Sequence, residues 1–179
     1  VMIPAQATGS DVAFMLRQSE AGLAIAGSRE ILATLRRLAD GLPRLTHLVA
    51  MDAGSAGNGV IALDAIAARA GETPLAELDR RRLAARIDDL ATIMYTSGTT
   101  GTPKGIRFSH RNVVFKRFAR ALALPEIGED DVFLCYLPLY HTFGRYLEMY
   151  GCIFWGATYV FLESPSVEAL VSGMRRFRP

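Results

Sequence analysis

Cysteine is scarce in this chain of 179 residues, and the two it has, Cys135 and Cys152, form no C-x-x-C pair and no metal-ligand spacing. That argues against a disulfide-stapled scaffold or a zinc ribbon, fits a reduced, cytoplasmic setting, and makes both thiols packing residues. Long hydrophobic runs are lacking too. The uncharged stretch from Met149 to Leu162 is broken by Gly151 and Gly156; it falls short of the ~18–20 apolar residues that a spanning helix needs and reads as buried protein. Neither sign of charge is in excess: 20 Lys and Arg against 18 Asp and Glu leave +2, too little to argue for a nucleic-acid partner, and none is expected. No basic leader with a small-residue cleavage site opens the chain. Both ends read as interrupted. Val1-Met2-Ile3-Pro4 looks like the tail of a strand, and Met174 to Pro179 stops just after a helix, so a fragment is expected.

Hydrophobic residues make up 50% of the chain, enough for a buried core and too many for disorder. Their spacing alternates between helical and extended periods. Ser10 is placed to cap a helix from Asp11 to about Ser19, and Leu23 to Ala26 reads as a short strand. Ser28 then caps a helix carrying Ile31, Leu32, Leu35 and Leu38, stopped by Gly41, before a strand from Thr46 to Met51. The stretch from Val60 to Leu90 reads as helical, with Arg80-Arg81-Arg82 as a solvated face. Strands are expected at Leu90–Thr96, Gly105–Ser109, Val132–Leu137 and Thr158–Leu162, and helices at His110–Leu124, Phe143–Trp155 and Ser166–Phe177. The fold class is therefore α/β, with parallel-sheet layers and helices packed on both faces. Three portions are expected: 1–59 as a first α/β part, 60–89 as a helical connector, and 90–179 as a second α/β part.

The chemistry concentrates in IMYTSGTTGTPKG, residues 93–105. From Thr96 to Gly105 it holds four threonines, one serine, three glycines and Lys104, with no negative charge. Glycines at 98, 101 and 105 let the backbone approach a ligand. The hydroxyls of Thr96, Ser97, Thr99, Thr100 and Thr102 are short donors that join backbone N–H groups around anionic oxygens. Lys104 adds a mobile point charge. Such a loop is a phosphate cradle. It is not the G-x-x-x-x-G-K-[ST] loop, because Pro103 precedes Lys104 and Gly105 follows it. Extended arms on both sides make it a strand–loop–strand element.

Tyr95 to Gly105 resembles the phosphate loop of the adenylate-forming (AMP-binding) superfamily at every position of YTSGTTGTPKG. Asp88-Asp89-Leu90-Ala91-Thr92 upstream and Ser109-His110-Arg111-Asn112 downstream agree as well. A second block, Leu137-Pro138-Leu139-Tyr140-His141-Thr142-Phe143-Gly144-Arg145, is most similar to the fatty acyl-CoA synthetases. The resemblance implies part of the large N-terminal domain of such an enzyme, without its C-terminal domain. It implies an ATP-dependent acid–thiol ligase that makes an acyl-adenylate, releases pyrophosphate and passes the acyl group to coenzyme A as co-substrate.

On this resemblance Thr96, Ser97, Gly98, Thr99, Thr100, Gly101 and Lys104 would grip the β- and γ-phosphates of ATP. Mg2+ would bridge phosphate oxygens, with the hydroxyl nearest it left open. His141 would lie on the substrate side; the alternative for it is a satisfied core histidine. Arg145 divides evenly between the cleft and solvent, and His47 and His110 receive packing roles only. Phe133, Tyr136, Tyr146, Phe154 and Trp155 could line an acyl tunnel, although core is the preferred reading for most of them.

The expected partners are small molecules: a fatty acid, ATP and coenzyme A. Another carboxylic acid, such as an amino acid, an aryl acid or one loaded onto a carrier protein, stays open, as does oligomeric state. The helix from His110 to Leu124 carries Val114, Phe115, Phe118 and Leu122 on one side and Lys116, Arg117 and Arg120 near another, which keeps peripheral membrane or partner contact in play. Its apolar side is expected to pack on a sheet with the basic side solvated. A helix starting at Lys104 would instead favour a P-loop nucleotidase.

Overall fold

The computed structural model of the chain describes residues 1–96 and 102–179. These fall into two compact units: Ile3–Arg86 with residues 102–105, and Val1–Met2 with residues 87–96 and Ile106–Pro179.

In the first unit, β1 (Leu23–Ala26), β2 (His47–Ala50) and β3 (Val60–Ala62) form a sheet in that order, parallel throughout. The register aligns Ala24, Leu48 and Val60 on one face and Ile25, Val49 and Ile61 on the other. On the first face Ala26, Ala50 and Val60 are buried together with Leu16 of α1 (Gly9–Gln18) and with Leu32 and Leu35 of α2 (Arg29–Ala39). The alanines leave room for the leucines, each of which contributes about 1.5–3 kcal/mol on burial. Two expectations change here. The cap of α1 is Thr8, whose Oγ1 accepts the Asp11 N–H, and not Ser10. Residues 60–62 form a strand, not the start of a helix. Gly57, Asn58 and Gly59 all take positive φ, which reverses the chain and lays the β-branched Val60 and Ile61 against the free edge of β2.

Helices α3 (Leu63–Ala68) and α4 (Leu75–Ala84) follow. Glu77 holds Arg80 and Arg81, each at 2.7 Å, and Asp79 holds Arg82 at 3.0 Å. The arginine run is a solvated, self-paired helix face.

β4 (Leu90–Thr96) pairs with β5 (Lys104–Ser109), which leads directly into α5 (His110–Ala123). Ser109 and Asn112 form a reciprocal capping box at that junction. A second sheet joins β6 (Val132–Cys135) to β7 (Thr158–Phe161) in parallel. Between them lie a π-helix, Phe143–Met149, and α6 (Tyr150–Trp155), which ends on Gly156 at φ 75°. The sequence suggested one continuous α-helix here; the wide turns begin where Gly144 seats against backbone carbonyls. Last comes α7 (Val167–Phe177), capped by Ser166 and packed so close at Gly173 that a Cβ would meet Leu162 at 2.8 Å.

Candidate functional site

Thr96 is the final residue of β4 and Lys104 the first of β5, and both side chains are exposed. The helix after the loop begins only at His110. Lys104 therefore opens a strand, which removes the P-loop nucleotidase alternative. Ser97, Gly98, Thr99, Thr100 and Gly101 lie outside the described residues.

The stems on either side are tied together. His110 N–H donates to Asp89 O at 3.0 Å and Arg111 N–H to Ile87 O at 2.7 Å. The Arg111 guanidinium also grips both Asp88 oxygens, at 2.6 and 2.8 Å. These hydrogen bonds hold the Asp88 carboxyl below its ordinary range and raise Arg111. The Asp-Asp approach and the Ser-His-Arg-Asn block, whose Asp88–Arg111 pair is 23 residues apart in the chain, are thus tied into one bracket.

His141 sits in the turn between β6 and the π-helix. Its N–H donates to Pro138 O at 3.0 Å, and its carbonyl accepts from Arg145 N–H at 3.1 Å. The Phe143 N–H donates to His141 Nδ1 at 3.2 Å, which puts the proton of the neutral ring on Nε2 and leaves that nitrogen as a donor. The side chain is exposed, so His141 is no satisfied core histidine. The His47 ring Nδ1 meets the hydroxyl of its neighbour Thr46 at 2.8 Å, and His110 is an exposed first residue of α5.

Arg145 does not face solvent. It is 3% exposed, and its Nη1 donates to Thr92 Oγ1 at 3.2 Å across 53 residues of chain, Thr92 itself being 8% exposed. Nε and Nη2 have no hydrogen-bond partner among the described residues. Burial lowers the pKa of this guanidinium. The pairing could be inferred only from β4's period of two, which puts Thr92 beside buried Met94 on one face.

Helix α5 lies the opposite way round from expectation. Arg117 is 3% exposed, whereas Phe115 is 76% and Leu122 85% exposed. Arg117 Nη1 donates to Leu147 O at 2.9 Å and its guanidinium lies 5.3 Å from the Tyr146 ring centre; Arg120 lies 5.6 Å from that of Trp155. The aromatic surface of the π-helix and α6 draws in the basic side through cation–π and carbonyl contacts.

The five aromatic candidates mostly pack on one another. Tyr146 is buried against Phe108 and donates its O–H to Asn112 O at 2.6 Å, while Phe133 stacks on Trp155. Phe133 and Tyr136 also line a groove of about 340 Å³ beside Leu170, Met174 and Glu148. Burial raises the Glu148 carboxyl, which accepts the Tyr159 O–H at 3.3 Å. Cys152 is buried and its thiol is pushed up to about 11, an unreactive packing residue. Among the described residues no group of three His, Cys, Asp or Glu side chains could hold a metal ion. No helix among them is long and apolar enough to cross a membrane.

The chain is 33% identical over 152 residues to the long-chain-fatty-acid–CoA ligase FadD15 of Mycobacterium tuberculosis, covering 83% of this chain and 25% of that protein. It superposes on ATP-bound MatB from Rhodopseudomonas palustris with a TM-score of 0.74 at 23% identity, over 97% of this chain and 32% of that one. It superposes on O-succinylbenzoate coenzyme A synthetase from Bacillus subtilis, solved with ATP and magnesium, with a TM-score of 0.65 at 22% identity, over 97% and 40%. The chain thus spans about a quarter of the length of the ligase it matches. The family model of the AMP-binding enzymes matches residues 1–179 from end to end, and the chain belongs to the AMP-binding enzyme family.

Proposed function

We propose that the full-length protein is an ATP-dependent acyl-CoA ligase acting on a fatty acid. In the first half-reaction a carboxylate oxygen attacks the α-phosphorus of ATP, a new P–O bond forms, and the bond to the bridging oxygen breaks to release pyrophosphate. In the second, the sulfur of coenzyme A attacks the acyl carbon and AMP leaves. Negative charge builds on the departing pyrophosphate, so the protein's task is positioning and electrostatic stabilisation.

The observation that carries this reading is the pair of joined strands, with a hydroxyl at the end of one (Thr96) and an ammonium at the start of the next (Lys104). Thr96, Ser97, Gly98, Thr99, Thr100, Gly101 and Lys104 hold the β- and γ-phosphates. His141, with Nε2–H as donor, serves the carboxylate side. The described residues offer no carboxylate set for magnesium, so the ion would ride on nucleotide phosphate oxygens, and no step here depends on it. The fatty-acid assignment is supported by the ligase matched over most of this chain. An aryl acid is the alternative, since a structural neighbour handles O-succinylbenzoate.

ATP–pyrophosphate exchange by the full-length protein over a panel of fatty, aryl and amino acids is the test. Lys104→Ala is expected to lower exchange at least about tenfold, chiefly through weaker ATP binding, as a charge-assisted phosphate contact predicts. Unchanged exchange in that variant would refute the loop assignment. A second reading, peripheral contact with membrane or partner through α5, is favoured by the exposed Phe115, Phe118 and Leu122. Liposome co-sedimentation that survives moderate salt would support it.

A further inference from the structure

We propose that Arg145 is a positioning residue that holds the His141 turn in register with β4, the strand that delivers Thr96. The proposal rests on the reading of His141 and the loop given above and adds to it the part that fixes one relative to the other.

Arg145 is bonded at both of its ends. Its backbone N–H donates to the carbonyl of His141 at 3.1 Å, and its side-chain Nη1 reaches the hydroxyl of Thr92 at 3.2 Å. Thr92 lies within β4, four residues before Thr96 and on the same face as fully buried Met94. One residue therefore ties the histidine turn to the strand that enters the phosphate loop. Gly144 removes the slack on the other side. A Cβ there would stand 2.7 Å from Leu137 O and 2.8 Å from Pro138 O, the backbone that precedes His141. The turn is thus pressed against the π-helix on one side and anchored to β4 on the other.

Stability alone does not account for this arginine. Two of its nitrogens are buried without a partner among the described residues, an arrangement that a hydrocarbon of similar volume would relieve. What the guanidinium supplies is reach and direction: a planar donor at the end of a long stem, spanning from the turn to the strand. A displacement of about 1 Å at a reacting group can cost on the order of a hundredfold in rate, so a strut of this kind acts on the chemical step more than on substrate binding.

The test uses the full-length protein, with kcat and KM measured by ATP–pyrophosphate exchange and folding checked by thermal unfolding. Arg145→Met and Thr92→Val are each expected to lower kcat about tenfold or more while KM for ATP and acid stays within about twofold. Thr92→Ser, which keeps the hydroxyl, is expected to restore kcat to within about twofold of the parent. Should Arg145→Met fail to fold, the Thr92 pair decides the matter alone. If His141→Ala loses activity while Arg145→Met and Thr92→Val keep theirs, the strut is refuted and the site reading stands. If Thr92→Ser fails to rescue, or KM rises in step with the fall in kcat, Arg145 is structural only and the proposal fails. If His141→Ala is fully active, the site reading and the strut fall together.

Discussion

Gly144→Ala is the sharpest single perturbation of this fold. Gly144 is buried and has no positive φ, so backbone conformation does not object to alanine. Space does. The added methyl would lie 2.7 Å from Leu137 O, 2.8 Å from Pro138 O and 3.2 Å from Leu137 C, all backbone atoms. Overpacking of a tight interior costs about 1–3 kcal/mol, and with no flexible side chain able to yield, this case belongs at the upper end. Two other glycines calibrate it. A Cβ at Gly151 would meet the Trp155 ring at 2.8 Å, and one at Gly173 would meet Leu162 Cδ2 at 2.8 Å. The ring can shift a little and the leucine methyl more, so the expected order of destabilisation is Gly144→Ala, then Gly151→Ala, then Gly173→Ala. Gly9→Ala is the control, because nothing lies within 4 Å of its Cβ and it begins α1; alanine there is expected to be neutral or to stabilise by up to about 1 kcal/mol. Urea unfolding followed by circular dichroism gives the four differences. Gly144→Ala as stable as Gly9→Ala would refute the close seating of the His141 turn on the π-helix.

Two further outcomes follow from the charged groups. The Asp88 carboxyl is lowered from its ordinary value of 3.8 by its hydrogen bonds to Arg111, so its contribution to stability is present above that value and is lost as pH falls through the lower folded value. Asp88→Asn should therefore be less stable than the parent near neutral pH, with the gap closing in acid and narrowing in high salt; a gap independent of pH would contradict the pairing. Arg117 is buried with two nitrogens that have no partner among the described residues, and Arg117→Met should leave the urea midpoint unchanged or raise it, whereas a marked fall would mean that its bond to Leu147 O and its stacking on Tyr146 outweigh desolvation.

Much of this architecture is legible from local signals. Ser28 and Ser109 each cap the helix their position announces, because a short hydroxyl satisfies an N–H there at little entropic cost. The strands on either side of residues 97–103 follow from apolar spacing and from Pro103 beside Lys104. What escapes is whatever depends on long-range pairing. Residues 60–62 become a strand only because β2 offers an edge. Helix α5 has a mixed face, and a carbonyl and a tyrosine ring 30 residues away decide which side turns inward. The bond between Arg145 and Thr92 spans 53 residues, and its one local trace is the period of two that turns Thr92 inward beside Met94. The π-helix is invisible to any period of 3.6, since its composition is that of an ordinary helix.

That π-helix bears on how the chain tolerates length changes. At its end the Tyr150 N–H reaches back five residues to Arg145 O, so the segment carries slack that an α-helix of the same span would lack. Losing one residue downstream of Arg145 could tighten the coil to ordinary pitch and swivel the next helix about its axis, carrying Cys152 and Trp155 to new headings. Small insertions and deletions, normally ruinous inside a helix, would here become a means of re-aiming one wall of the protein while the histidine turn stays where it is.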